Sequence, residues 1–386
     1  MSVKLLIGAD IVPTKGNYEL FENGDTDILL GQELTDLFNG CDFRILNLEA
    51  PLTDKVSPIN KCGPNLMIPT AAINGLKKIN PDFYTVANNH IMDQGVQGFC
   101  STKRMLSDAG ISFSGAGDTY EEAQKPYIKE IRGITIGIYC CAEHEFSIVT
   151  DQIPGANPYD PLYSFQHVRK LRETCDYLIV LYHGGKEHYR YPSPNMRKRF
   201  QKFVQAGADL VIAQHSHCIG CIETYENSTL VYGQGNFLFD YGDDEYSKTS
   251  LLISVSIDDQ TGAAVEYIPL VKNGSTVRLA KGEVHETIVA ALENRNAKLL
   301  QEGFVESNYH EYSIEMLPKY ERAFIGKLSQ NLIFKALNRI SKNVLADQWI
   351  SKYQKLELEN YFMCESHQEL IAEGLRHSIQ GMDKPF

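Results

Sequence analysis

The residues of this chain that could do chemistry collect at one kind of position, the end of a short apolar run. Leu5-Leu6-Ile7-Gly8-Ala9 leads into Asp10, and Ile45-Leu46-Asn47-Leu48 leads into Glu49. Phe83-Tyr84-Thr85-Val86-Ala87 precedes Asn88-Asn89-His90, Leu178-Ile179-Val180-Leu181-Tyr182 precedes His183, and Leu210-Val211-Ile212-Ala213-Gln214 precedes His215-Ser216-His217. Carboxylates, imidazoles and a carboxamide are borderline-hard donors that suit Mn, Zn or Fe, with Mg also admissible. A shared carboxylate can bridge two divalent ions, and two ions about 3.5–4 Å apart activate water and polarise a phosphoryl or acyl oxygen. A histidine outside the ligand set can then protonate the leaving group. His215 and His217 are expected to point the same way, as alternate residues beyond a strand do.

Such a site needs neighbouring strands with their carboxyl ends together, which is where open α/β sheets bind ligands. The runs 3–9, 43–48, 83–87, 134–141, 177–182, 209–213, 219–225, 229–232 and 250–257 read as buried strands. Helical patterns over 71–79, 96–109, 163–174 and 194–206 lie between them, so an α/β sheet covered by helices is expected. The clearest helix is 194–206, with Ser193 as N-cap, Pro194 in the first turn and Gly207 beyond its end. Runs 219–257 read as antiparallel hairpins, with a turn at Asn227-Ser228. From residue 276 the character changes. Helices are expected over 281–303, 316–342 and 354–374, with linkers at 304–312 and 343–350. The domains are therefore set at 1–275 and 276–386, the second a helical lid, docking platform or oligomer contact.

The chain has 386 residues, 43% of them hydrophobic and 22% charged, the balance of a soluble globular protein. A net charge of −12 argues against nucleic acid or anionic membrane as a general partner. Arg197-Lys198-Arg199 with Lys202 reads as the solvated face of a helix. No run resembles a secretory signal or an integral membrane segment, so a cytoplasmic location is expected. Nine scattered cysteines make no disulfide framework. Cys218-Ile219-Gly220-Cys221 lacks the second pair a zinc ribbon needs.

These segments resemble the CapA/PgsA family of bacterial capsule (poly-γ-glutamate) synthesis proteins, within the calcineurin-like metallophosphoesterase superfamily. The resemblance spans roughly residues 3–260. It rests on Gly8-Ala9-Asp10, Asn47-Leu48-Glu49-Ala50-Pro51-Leu52-Thr53, Ala87-Asn88-Asn89-His90 with Asp93-x-Gly95, Ala109-Gly110-Ile111 with Gly115-Ala116-Gly117, His183-Gly184-Gly185-Lys186-Glu187, the stretch from Gly207 to His217, and Tyr232-Gly233-Gln234-Gly235-Asn236-Phe237. It implies a four-layer αββα sandwich with two metal ions at its crest. Asp10 and His217 would serve one ion, and Asn89, His183 and His215 the other. Glu49 would bridge them and His90 would be the general acid. Asn88, Tyr182, Lys186, Glu187 and Asn236 are candidates for contacts to the ligands or to substrate. His144, in the Glu143-His144-Glu145 segment after the 134–141 run, is another. The chain departs from the phosphoesterase pattern at Val12, where those enzymes carry a histidine, and at Glu49, where they carry aspartate.

The expected function is metal-dependent hydrolysis of a phosphoester or amide bond in the biosynthesis of a surface polymer, poly-γ-glutamate or polysaccharide. The substrate would be an anionic polymer or its precursor, and other surface-polymer synthesis proteins are possible partners. The alternative is a non-catalytic, metal-binding scaffold of a polymer synthesis complex.

Overall fold

The apolar runs become the strands of two mixed sheets in the computed structural model. It describes all residues except 1, 241, 243, 259–261, 322–325, 327–330, 342–344, 346–348, 364–366, 369, 372–373 and 376–386. The first sheet has the order β16 (Thr276–Leu279), β15 (Gly262–Asn273), β14 (Thr249–Asp258), β1 (Ser2–Val12), β2 (Phe43–Leu48), β3 (Phe83–Thr85) and β4 (Ser112–Ser114). β13 (Asn236–Phe239) also pairs with β1. β1 to β4 and β13 run parallel, whereas β14 to β16 are antiparallel. The second sheet has the order β11 (Ile222–Tyr225), β12 (Ser228–Val231), β10 (Leu210–Gln214), β9 (Tyr177–His183), β7 (Ile134–Ala142) and β6 (Tyr127–Ile131). Its four inner strands are parallel. β5 (Ala116–Gly117) and β8 (Gly155–Ala156) form a small separate ladder.

Three apolar layers hold four layers of structure together. In the middle, Val3, Leu5 and Ile7 of β1 pack with Ile136, Ile138, Ile179 and Leu181 of the second sheet. On the outer face of the first sheet, Leu6, Leu46 and Tyr84 meet α1 (Tyr18–Asn23), α2 (Thr26–Leu30), α3 (Gln32–Asn39), α4 (Ile73–Lys78) and α5 (Gly95–Asp108). On the outer face of the second sheet, Leu178, Val180 and Tyr182 meet α7 (Ser164–Arg172) and α8 (Pro194–Gln205). Two short helices, α6 (Tyr120–Ala123) and α9 (Glu245–Lys248), sit in loops. The result is a four-layer αββα sandwich.

Local signals account for the element ends. The Ser193 hydroxyl accepts the Met196 N–H at 3.1 Å, Pro194 opens α8, and Gly207 follows it at φ +113°. The hairpin expectation needs correction. Only β11 and β12 form a hairpin within 219–239; β12 and β13 pair parallel, with β10 and β1. Its turn residues are Glu226 and Asn227, both left-handed (φ +46° and +67°), and Ser228 opens β12.

The chain forms two compact units, Met1–Val305 and Glu306–Phe386. The boundary set at 275 falls between β15 and β16, which are bonded to each other, and Val277 of β16 is buried in the apolar layer on the outer face of the first sheet. The next helix, α10 (Gly282–Leu299), contributes Ile288 and Leu292 to the layer between the sheets. The linker expected at 304–312 is helical and opens α11 (Phe304–Glu321). The helix expected over 316–342 is interrupted: the Asn331 side chain accepts the N–H groups of Ile333 and Phe334 and starts α12 (Leu332–Ile340). α13 spans Lys352–Met363, and most of the linker expected at 343–350 lies outside the described residues. Among the described residues no helix is long and apolar enough to cross a membrane.

Gly115 shows how closely the two sheets pack. Its φ is +96°, and an added Cβ would lie 2.7 Å from the Cβ atoms of Ala87 and Cys140. Gly115→Ala should lower unfolding stability by about 2–4 kcal/mol, from backbone strain and overpacking. A fall in the urea midpoint without a change in m value checks this.

Candidate metal centre

The strand ends converge as expected. β1 slips register against β2 between Ile7 and Asp10, and against β13 between Asp10 and Ile11. Such a bulge redirects a side chain, and here it presents the buried Asp10 to the other sheet: Asp10 Oδ2 accepts the His215 N–H at 3.3 Å. Asn47, the partner of Asp10 across β1 and β2, donates to Asp10 Oδ1 at 2.7 Å. Glu49 follows β2 and Asn88-Asn89-His90 follows β3. His183 ends β9, with its side chain on the face of Ile179 and Leu181. His215 and His217 converge by another route than the extended alternation anticipated. Both have left-handed backbones (φ +89° and +53°), and their rings lie 5.9 Å apart. Non-glycine residues in that region carry strain, which clusters at functional sites.

Glu49 dominates the electrostatics. Its carboxylate is wholly buried and neither oxygen accepts a hydrogen bond. Burial, and then the neighbouring Asp10, pushes its pKa up to about 8. His183 Nε2 lies 3.2 Å from Glu49 Oε1 and 2.9 Å from Asn89 Oδ1. Burial pushes His183 down to about 4 and His215 well below the usual imidazole value. The buried Nδ1 of His215 has no hydrogen-bond partner. Neutral imidazoles around a carboxylate that lacks donors are a donor set short of a cation. The ligand atoms of Asp10, Glu49 and His183 lie within 4.8 Å of one another, and so do those of Glu49, His215 and His217. The two groups share Glu49, which suits a bridge. They divide the other ligands differently from the expected split, placing Asp10 with His183 and His217 with His215. Val12 is buried in the outer core of the first sheet, where it offers no donor.

The remaining candidates separate. Asn88 braces the strand ends by donating to Asn47 Oδ1 (3.1 Å) and to the Leu48 carbonyl (2.8 Å). Asn236 Oδ1 accepts from His217 Nδ1 at 2.7 Å, which fixes the orientation of the ring. Lys186 and Glu187 are half-buried and act electrostatically on His215 and Glu49. Tyr182 is not in the crevice. It is buried among Phe200, Phe203 and Tyr159 beneath α8, and its hydroxyl donates to Glu143. His144 is exposed and lines another cavity with Tyr163 and His167. Its neighbour Glu145 does reach the site, accepting from Asn89 Nδ2 at 2.7 Å. Cys218 and Cys221 are buried thiols whose pKa burial raises, so they stay protonated. Lys61 is an addition that no local pattern announced, and Asp93, which belongs to the Asp93-x-Gly95 motif, gains a role beside it. His90 Nδ1 donates to Asp93 Oδ2 at 2.6 Å, the Leu66 N–H donates to the same oxygen at 2.6 Å, and the buried Lys61 ammonium bonds Asp93 Oδ1.

Two consequences are measurable. The ion-free fold holds the Glu49 proton more tightly than the unfolded chain does, so it should lose stability as pH rises from about 4.5 towards 8. A divalent ion displaces that proton, so binding at pH 7 should release about one proton and tighten up to about pH 8. Calorimetry in two buffers of different ionisation enthalpy counts the proton, and Glu49→Gln should abolish it. Asn236→Ala frees the His217 ring and should weaken metal binding about 10–100-fold in a chelator competition.

The chain is 25% identical over 295 residues to the capsule biosynthesis protein CapA of Bacillus anthracis, covering 72% of this chain and 71% of that one. It is 25% identical over 287 residues to the PGA biosynthesis protein CapA of Bacillus subtilis (strain 168), covering 72% of each. Solved structures similar to it include a phosphatase of Mycoplasma pneumoniae (TM-score 0.45, 15% identity, 71% of this chain and 95% of that one). Another is the NAD nucleotidase of Haemophilus influenzae (TM-score 0.43, 12% identity, 76% and 56%). The profile of the family described as bacterial capsule synthesis protein PGA_cap matches residues 4–241, more than half of the chain, and the protein belongs to that family.

Proposed function

We propose that this chain is a metal-dependent hydrolase that cleaves a phosphoester or amide bond in a surface polymer or its precursor, in the cytoplasm. The observation that carries this reading is Glu49, a buried carboxylate without donors, ringed by Asp10, His183, His215 and His217. These residues, with Asn89, would hold two divalent ions of Mn, Zn, Fe or Mg. Bound there, the ions supply a Lewis acid for the scissile group and lower the pKa of water to near neutrality.

The chain's own groups do the rest. Asp93 fixes the His90 ring through Nδ1, which leaves Nε2 to give a proton to the leaving group. Lys61 holds Asp93 from its other oxygen, so the carboxylate is anchored on both sides. Lys186, with no ion pair among the described residues, supplies positive charge for an anionic substrate. The names of the relatives, a capsule biosynthesis protein and a PGA biosynthesis protein, support a surface polymer as the substrate. One observation favours the scaffold reading instead: Val12 leaves the centre one histidine short of the phosphoesterase pattern.

Elemental mass spectrometry of the purified protein beside His215→Ala tests both. About two metal equivalents in the wild type and fewer in the variant are expected. His90→Ala should keep the metal and lower kcat on phosphomonoester, phosphodiester or γ-glutamyl amide substrates about 10²–10⁴-fold. Bound metal without turnover on any of these would establish the scaffold. No metal, even after supply of Mn or Zn, would overturn the metal-dependent reading.

A further inference from the structure

A second concentration of charge lies on α10, outside the metal centre. Arg295 is half-buried, and its Nε–H donates to the Gly220 carbonyl at 2.7 Å. Its two terminal nitrogens have no hydrogen bond or carboxylate partner among the described residues. Arg190 approaches from the loop after β9. Its side chain is 16% exposed, donates to the Ile219 carbonyl at 2.8 Å and pairs with Glu245 at 2.7 Å. Arg295 is thus the uncompensated member of the pair. Burial, followed by Arg190, lowers its pKa, so each guanidinium raises the electrostatic cost of the other.

Both arginines open onto one cavity of about 380 Å³, within the range of small-ligand sites. Its wall is largely apolar, built from Ile219, Val284, Ile288 and Ala291. Anchoring α10 does not require Arg295, because the Asn296 side chain already accepts the Ile222 N–H at 2.7 Å. A guanidinium withdrawn from water normally meets a carboxylate, and its planar fork matches carboxylate and phosphate oxygens.

We propose that Arg295, with Arg190 behind it, forms an oxyanion subsite for a single carboxylate or phosphate group carried on an apolar body. The restriction to one charge follows from Glu245 and Glu283, which also line the cavity and repel a polyanion. The subsite shares no residue with the metal centre, so it stands whether or not the centre is catalytic.

Isothermal titration of the full-length, metal-loaded protein with pentanoate and with inorganic phosphate tests this, wild type beside Arg295→Gln. The two proteins share the metal centre, so a difference between them reads the subsite. The expected result is one equivalent of at least one probe, bound at least tenfold more weakly by the variant, with metal content unchanged. Loss of pentanoate binding identifies a carboxylate ligand, and loss of phosphate binding a phosphoryl one. Absence of binding to the wild type, or the same isotherms in both proteins, would overturn the proposal. Should Arg295→Gln fail to fold, Arg295→Lys makes the comparison. It keeps the charge, loses the fork, and should still bind at least tenfold more weakly.

Discussion

A carboxylate removed from water without a hydrogen-bond donor is among the costliest arrangements a protein can hold. Glu49 sits in that arrangement, at the top of β2 between the two sheets. The surrounding structure limits the cost in two ways. The carboxyl stays protonated to about pH 8 when alone. It is also surrounded by imidazoles kept neutral by the same burial, which are ready to share a cation. The dry environment that penalises Glu49 is thus what makes the cluster a ligand set rather than a group of ion pairs.

Holding such a set requires both sheets. The first supplies Asp10, Glu49 and the segment after β3; the second supplies His183, His215 and His217. Two departures from regular geometry aim the donors. One is the bulge that turns Asp10, and the other is the pair of left-handed residues at His215 and His217. A braced network of carboxamides, Asn47, Asn88 and Asn236, keeps the ends of different strands in register. The position of the proposed acid is built differently. His90 is held by Asp93, and Asp93 by Lys61, on a loop that belongs to neither sheet.

Much of this was legible in the sequence, because apolar runs ending in metal-type residues are a local pattern with one economical explanation. The α8 helix was legible for the same reason, since its cap, proline and apolar face all lie within fifteen residues. Tyr182 shows a signal that was present and misread. It precedes His183 on one strand, so if His183 faces the crevice Tyr182 must face the helices. Alternation along β7 would carry His144 to the inner face with Ile138 and Cys140, but the strand ends at Ala142 and Glu145 reaches the site instead. Lys61 could not be found this way, since its partner Asp93 is thirty-two residues away and nothing in either neighbourhood names the other. Nor could the division of the donors into two groups, which depends on how far two packed sheets bring their tips together. The boundary near 275 failed because α10 looks like the start of a helical appendage, yet its apolar residues complete the layer between the sheets.

The contact between Asp10 and His215 joins residues 205 positions apart. During synthesis the first strand therefore emerges long before its counterpart exists. Until β9 and β10 have been made, Asp10 and Glu49 lack His183, His215 and His217, and two carboxyl groups face each other in an apolar setting. The centre can close only when most of the first unit has been translated. The bond from His215 to Asp10 is one of several contacts of high sequence separation, whose loop-closure entropy must be met before they form. Capture of an ion by this centre would then come at the end of folding rather than at its start, and a chain truncated before His215 would have a nascent sandwich with nothing to seal it.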